Sequence, residues 1–384
     1  MVVESLGVTR RRRAASWATI ATVGRRRIFA WWLASRVLVF VSAAIVQIAR
    51  IPRAQPSGFL AHPFALVGSW DSRWYRIIAD RGYLVVPHQY SDPAFFPLLP
   101  IIERLGTAIG LPDIVTGALV ANLGFLAGLM ALYALGCELL PEAEARRAAI
   151  YLAIFPMGFV FALAYPEGLV LPLLALAALC ALRDRWLAGA VCAAAATLAR
   201  PEGLFLVFPL AAIAVRRWPT ASESLRARSL AAVLAPAAAM ASFSVYLWWT
   251  VGDPLAWSNA ERAWGRSFSV HGLRNAFAQL LVAQGNHNAW IYRDVAFCAL
   301  YVVLLIVAHR AGLPRSWIAA GAATVLLPIA SGSFTSDARF GLLAPPVFWG
   351  LAILGRRPAL DRAVLILCPL LLVAGVVTLP LRWP

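Results

Sequence analysis

The chain has 384 residues, of which 61% are hydrophobic and 14% charged, and its mean hydropathy is +0.74. A soluble domain carries about 25% charged residues, so this composition excludes an ordinary soluble fold and implies a polytopic membrane protein. The net charge of +16 is carried by arginine alone, with no lysine. Many of these arginines sit in short clusters between apolar runs, as cytoplasmic loops require, which excludes a nucleic-acid surface.

In chain order, residues 1–27 hold Arg10 to Arg13 and Arg25 to Arg27 and read as a basic cytoplasmic leader. One transmembrane domain then occupies 28–380. Its first helix covers 28–49 and is interrupted by Arg36, which at that depth must face protein, water or an anion. With the N-terminus inside, residues 50–92 form a first outside loop whose mixed aromatics and charges predict short interfacial helices. Pro97 and Pro100 shape the re-entry at 94–110, and Glu103-Arg104 makes that stretch interfacial or a tilted half-span.

Clear spans follow at 114–140 and 148–164, around a charged inside turn from Glu142 to Arg147. Three short spans come next, at 169–182, 186–199 and 204–215. They are shorter than the roughly 20 residues of a full crossing. Broken by Pro and Gly and ending in charge, they should line a cavity open to water or headgroups. An inside loop at 216–228, a span at 229–251 and a second long outside loop at 252–293 follow. The remaining spans are 294–308, 316–331, 341–355 and 363–380. The expectation is an all-α bundle of about eleven transmembrane helices.

The five cysteines lie in or beside apolar runs without C-x-x-C spacing, so neither a disulfide framework nor a zinc site is implied. Asp71, Asp80 and Asp92 have no metal spacing, and His62 and His88 stand alone; a divalent metal is not excluded and no cofactor is implied. No Gly-rich loop follows a strand, as a nucleotide-sugar donor would suggest.

If this topology holds, five outside elements converge on one membrane face: Asp71 with its neighbours, Glu167, Arg200 with Glu202, the 252–293 loop, and Arg339. Each has a plainer reading. Asp80-Arg81 makes a surface pair of little worth, Glu167 a helix N-terminal acid, and Arg200 a snorkelling side chain. Asp71 stands out because it lies between Trp70 and the Trp74-Tyr75 pair just beyond the first helix.

The run Trp70-Asp71-Ser72-Arg73-Trp74-Tyr75 with Gly82-Tyr83, followed by Ala94-Phe95-Phe96-Pro97-Leu98-Leu99-Pro100, resembles the PIG-V family of GPI mannosyltransferases and its bacterial relatives. Phe155-Pro156 with Tyr165-Pro166-Glu167, Arg200-Pro201-Glu202-Gly203, and Arg339-Phe340 with Pro345 or Pro346 extend the resemblance from about residue 30 to 355. Pro166 stands where that family usually has Ser, and Pro201-Glu202 where it has Ser-Asn.

The resemblance implies a GT-C glycosyltransferase with an essential acid in its first outside loop. Its donor would be polyprenyl-phosphate-mannose, its acceptor a glycolipid or other envelope glycan, and its place the outer face of a bacterial inner membrane. Asp71 would then be the general base. Arg200 and Arg339, with Arg73 and Arg76 behind them, would hold the donor phosphate. Trp70, Trp74, Tyr75, Asp80, Glu167, Glu202 and Trp264 would contact substrate, the aromatics serving equally well as interfacial anchors. The rival readings are transfer of another sugar, transfer to protein, and a lipid or solute transporter. A transporter tends to have inverted repeats with midplane polar groups, and no such repeat is visible.

Overall fold

The computed structural model describes residues 2–49, 66–85, 91–267, 269–282 and 290–378, with side chains from residue 22 onward. Residues 50–65, 86–90 and 283–289, and with them His62, His88 and parts of both long outside loops, lie outside the described residues. The described chain is all-helical.

The sixteen α-helices in order are α1 (Val2–Ile48), α2 (Ser72–Arg81), α3 (Leu98–Ala108), α4 (Asp113–Cys137), α5 (Glu142–Ala153), α6 (Glu167–Leu182), α7 (Trp186–Ala199) and α8 (Val207–Arg217), then α9 (Glu223–Val251), α10 (Ala256–Ala260), α11 (Gly272–Val282), α12 (Trp290–Arg310), α13 (Arg315–Ala330), α14 (Asp337–Phe340), α15 (Pro345–Leu354) and α16 (Pro358–Thr378). Short 3₁₀ turns at Asp92–Ala94, Pro156–Ala162, Pro201–Leu206 and Glu261–Trp264 break the pattern where Pro or Gly stands.

Among the described residues five helices are long and apolar enough to cross a membrane, and seven spans result if two bent pairs each count as one. The bends are 72° between α5 and the turn at Pro156–Ala162, and 86° between Asp337–Leu343 and α15. The expected total of about eleven is not reached by this criterion, because α6, α7 and α13 have only 16, 14 and 16 residues. The leader is not a separate coil: α1 runs without a break from Val2, and its apolar part is Thr22–Ile48.

Where α4 meets α6 the backbones touch. A Cβ on Gly124 would lie 2.3 Å from the Gly168 carbonyl, and one on Gly168 would lie 2.3 Å from the Ala121 carbonyl. Small residues permit this approach, as they do between membrane helices generally. Arg36 faces protein. It is buried, donates to the Gly158 carbonyl at 3.0 Å and lies 4.9 Å from the centre of the Phe125 ring. It thus pins α1 to the turn at Pro156–Ala162. Glu103 departs from its interfacial expectation: α3 packs on α4 and leaves this side chain fully buried.

Candidate active site

Asp71 sits at the N-terminus of α2, just after Trp70, whose φ of 55° turns the chain there. Its backbone N–H donates to the Tyr165 hydroxyl at 3.1 Å. Tyr165 in turn precedes the Pro166 that starts α6, so Glu167 enters the site one residue later. Arg200 ends α7 in extended conformation, and Pro201 opens the turn that carries Glu202. Arg339 lies on α14, presented by the left-handed Ser336 at φ 67°.

These four segments form one chain of ion pairs. Arg339 meets Asp71 at 2.6 Å and Glu167 at 3.3 Å. Arg200 meets Glu167 at 2.7 Å and grips Glu202 with two bonds of 3.0 and 2.7 Å. All five side chains are buried, at no more than 9% exposure. Buried charge survives only when it is paired and hydrogen-bonded, and here three carboxylates share two guanidiniums. Burial raises the Glu202 carboxyl, but the clasping Arg200 outweighs it and holds the group below its ordinary range.

A cavity of about 220 Å³ opens beside this chain, lined by Asp71, Tyr75, Arg200, Glu202 and Arg339. A second wall comes from the 256–267 stretch, with Trp257, Glu261, Trp264 and Arg266. A third is apolar: Leu204 and Phe205 from the turn after α7, Met240 of α9, and Leu327 with Pro328 of α13. Phe340 is ringed by three guanidiniums, Arg200 at 5.1 Å, Arg266 at 5.0 Å and Arg339 at 5.6 Å from its centre. The Nε–H of Arg266 is buried and donates no hydrogen bond among the described residues, while that of Arg339 lies 3.3 Å from the Glu167 carboxylate.

The structure separates the sequence candidates. Asp71, Tyr75, Arg200, Glu202, Arg339 and Trp264 line the cavity, while Glu167 is fully buried and holds Arg200 and Arg339 together. Trp74 stacks on Phe95 at 5.6 Å, outside the lining, and Trp70 packs against the main core. Arg73 and Asp80 are exposed, and Arg76 pairs with Asp113 at 2.8 Å on the far side of α2. None of these three lines the cavity. Arg266 does, and in the sequence it is one unassigned charge among several in the 252–293 loop. Among the described residues no group of three metal-ligating side chains comes together.

No family model matches the chain, and no curated protein matches it. Among solved structures, the oligosaccharyltransferase of Archaeoglobus fulgidus in its apo form is 14% identical, with a TM-score of 0.47 over 90% of this chain and 56% of that one. The same organism's oligosaccharyltransferase AglB, solved with an inhibitory peptide and a dolichol-phosphate, is 14% identical with a TM-score of 0.45 over 91% and 55%. The chain thus spans a little over half the length of these structures.

Proposed function

We propose that this protein is a membrane glycosyltransferase of the GT-C type, moving mannose from polyprenyl-phosphate-mannose to a glycolipid or envelope-glycan hydroxyl, on the outer face of a bacterial inner membrane. The observation that carries this reading is the pairing of Asp71 with Arg339 inside a cavity that has both an arginine-bearing and an apolar wall. Arg200 and Arg339 both line the cavity, and an oxyanion there would take charge-assisted hydrogen bonds from them. The wall of Leu204, Phe205, Met240 and Leu327 suits an isoprenoid chain attached to that oxyanion. A phosphate on an apolar chain matches both walls at once, which a free sugar phosphate does not.

Asp71 accepts from Arg339 at 2.6 Å. A phosphate oxygen arriving at Arg339 competes for the same N–H groups and loosens that hold. Asp71 then takes the proton of the acceptor hydroxyl, whose oxygen attacks C1 of the sugar. The C1–O bond to phosphate breaks and its electron pair stays on the phosphate oxygen, where Arg339 and Arg200 stabilise it. The products are a new glycoside and polyprenyl phosphate. A single displacement inverts the anomeric centre. Glu202, clasped by Arg200 on both oxygens, is poorly placed to act as a covalent nucleophile.

The test is release of polyprenyl phosphate from synthetic polyprenyl-phosphate-mannose by purified protein supplied with total membrane lipid. Release that depends on Asp71 supports the reading. No release by folded protein, with mannose or with other hexoses on the donor, would sink it.

A further inference from the structure

We infer that the cavity wall formed by residues 256–267 is the acceptor subsite, and that it takes a hexopyranosyl head group. This rests on the proposed transferase only for the word acceptor; the binding itself stands on the wall's own chemistry. The arginine-bearing and apolar walls suit a lipid phosphate, which leaves the 256–267 wall without an occupant.

Its residues are held rigidly. Trp257 donates its indole N–H to the Ser244 hydroxyl of α9 at 3.1 Å. Trp264 meets Trp74 and Phe95 edge to face, at 6.3 and 5.8 Å. The Arg266 guanidinium bonds Oε2 of Glu261 at 3.0 Å and the Thr335 carbonyl at 2.5 Å. The Ser267 N–H donates to the Ser331 carbonyl at 2.6 Å. The loop is therefore fastened to the α13–α14 turn, and Glu261 is fixed where it lines the cavity with 32% of its side chain still exposed.

Each candidate occupant can be weighed against this wall. A phosphate would lie against the Glu261–Arg266 pair, which carries no net positive charge to hold it. A second alkyl chain would offer nothing to the exposed part of the Glu261 carboxylate or to the Ser258 and Ser267 hydroxyls. A pyranose ring satisfies both characters, offering apolar C–H faces to indole rings and hydroxyl donors to a carboxylate and two serines. Aromatic walls with a few fixed polar groups are the usual form of such sites. A site built to bond hydroxyls rejects analogues that lack them strongly, so the acceptor should be a sugar-bearing lipid and not a simple diacylglycerol or alcohol.

The experiment uses the full-length protein in nanodiscs and a tritiated octyl hexoside, without donor, in equilibrium dialysis. The expected result is saturable binding displaced by unlabelled octyl mannoside or octyl glucoside and not by 1-O-octylglycerol. Glu261→Gln and Trp264→Phe should each weaken it at least about tenfold, with unfolding midpoints measured alongside to exclude misfolding. Equal displacement by octylglycerol, or unchanged binding in both folded variants, overturns the subsite. Donor cleavage, measured separately, keeps the two ideas apart. Cleavage without hexoside binding refutes the subsite alone, and hexoside binding without cleavage refutes the transferase alone.

Discussion

Arg339 donates to Asp71 at 2.6 Å, joining two residues 268 positions apart in the sequence. The same guanidinium is also within 3.3 Å of Glu167. Arginine can serve two carboxylates because its planar fork presents several N–H groups, whereas lysine offers one point charge. Asp71→Asn should lower polyprenyl phosphate release by at least about a hundredfold, as loss of a general base does. Arg339→Lys should fall by a similar order, about a hundredfold, because it loses the charge-assisted contacts at the developing phosphate charge. Exposed Arg73, replaced by Ala, should stay within about twofold, as a solvated surface charge would. A large effect at Arg73 would move the donor phosphate towards α2.

Arg200 is the hub of the buried ion pairs, and its removal would strand Glu202 at 8% exposure and leave the fully buried Glu167 with Arg339 alone. Breaking a buried pair from one side costs about 3–5 kcal/mol. Arg200→Met should therefore lower the unfolding midpoint and abolish release. Adding Glu167→Gln and Glu202→Gln should recover a good part of the stability and none of the activity. If stability does not recover, the loss in the single variant comes from packing and not from uncompensated charge.

Glu103 gives a pH dependence unrelated to turnover. It is fully buried, and neither of its carboxylate oxygens has a hydrogen-bond partner among the described residues. Burial, reinforced by Asp113 and opposed by Arg76, pushes its pKa from 4.5 up to about 8. The folded state holds this proton more tightly than the unfolded chain. The stabilisation is complete below about pH 4.5 and is lost as pH rises through about 8. Unfolding midpoints in detergent should thus decline between pH 5 and 9. Glu103→Gln should flatten that decline by an amount on the order of a few kcal/mol. A variant whose profile parallels the wild type would assign the decline to other groups.

The boundaries of α6 and α7 were legible because Pro, Gly and charge mark their ends: the expected 169–182 and 186–199 compare with Glu167–Leu182 and Trp186–Ala199. The rejoining of Asp71, Glu167, Arg200 and Arg339 could be anticipated only as a shared membrane face, since no local pattern encodes which acid meets which arginine. Pairings of that kind hid the roles of Arg76, taken by Asp113, and of Arg266, taken by Glu261 and Phe340. Glu103 was illegible for a related reason. A charged residue next to Arg104 looks interfacial until α3 is laid against α4, where a Cβ on Gly117 would come within 2.5 Å of the Glu103 carboxylate. The length of α1 was missed because an arginine-rich stretch can be helical without being apolar.

Gly168 links the packing of the bundle to the site. It follows Glu167 directly, and its missing side chain lets α6 press on α4 at the Ala121 carbonyl. A methyl group there would lie 2.3 Å from a backbone oxygen that cannot swing away. Gly168→Ala must therefore push the helices apart, and overpacking of this kind costs about 1–3 kcal/mol. Because Glu167 rides on the same turn, its oxygen should move from Arg200 and Arg339, and donor cleavage should fall at least about tenfold, as small misplacements near a reacting centre cause. Gly82→Ala is the control. That residue has φ 78° and ψ −168°, and a Cβ there would have no atom within 4 Å, so alanine adds only backbone strain of about 1–3 kcal/mol. It should lower the unfolding midpoint modestly and leave turnover near wild type. If Gly168→Ala cleaves donor as fast as Gly82→Ala, the α4–α6 contact does not govern where Glu167 sits.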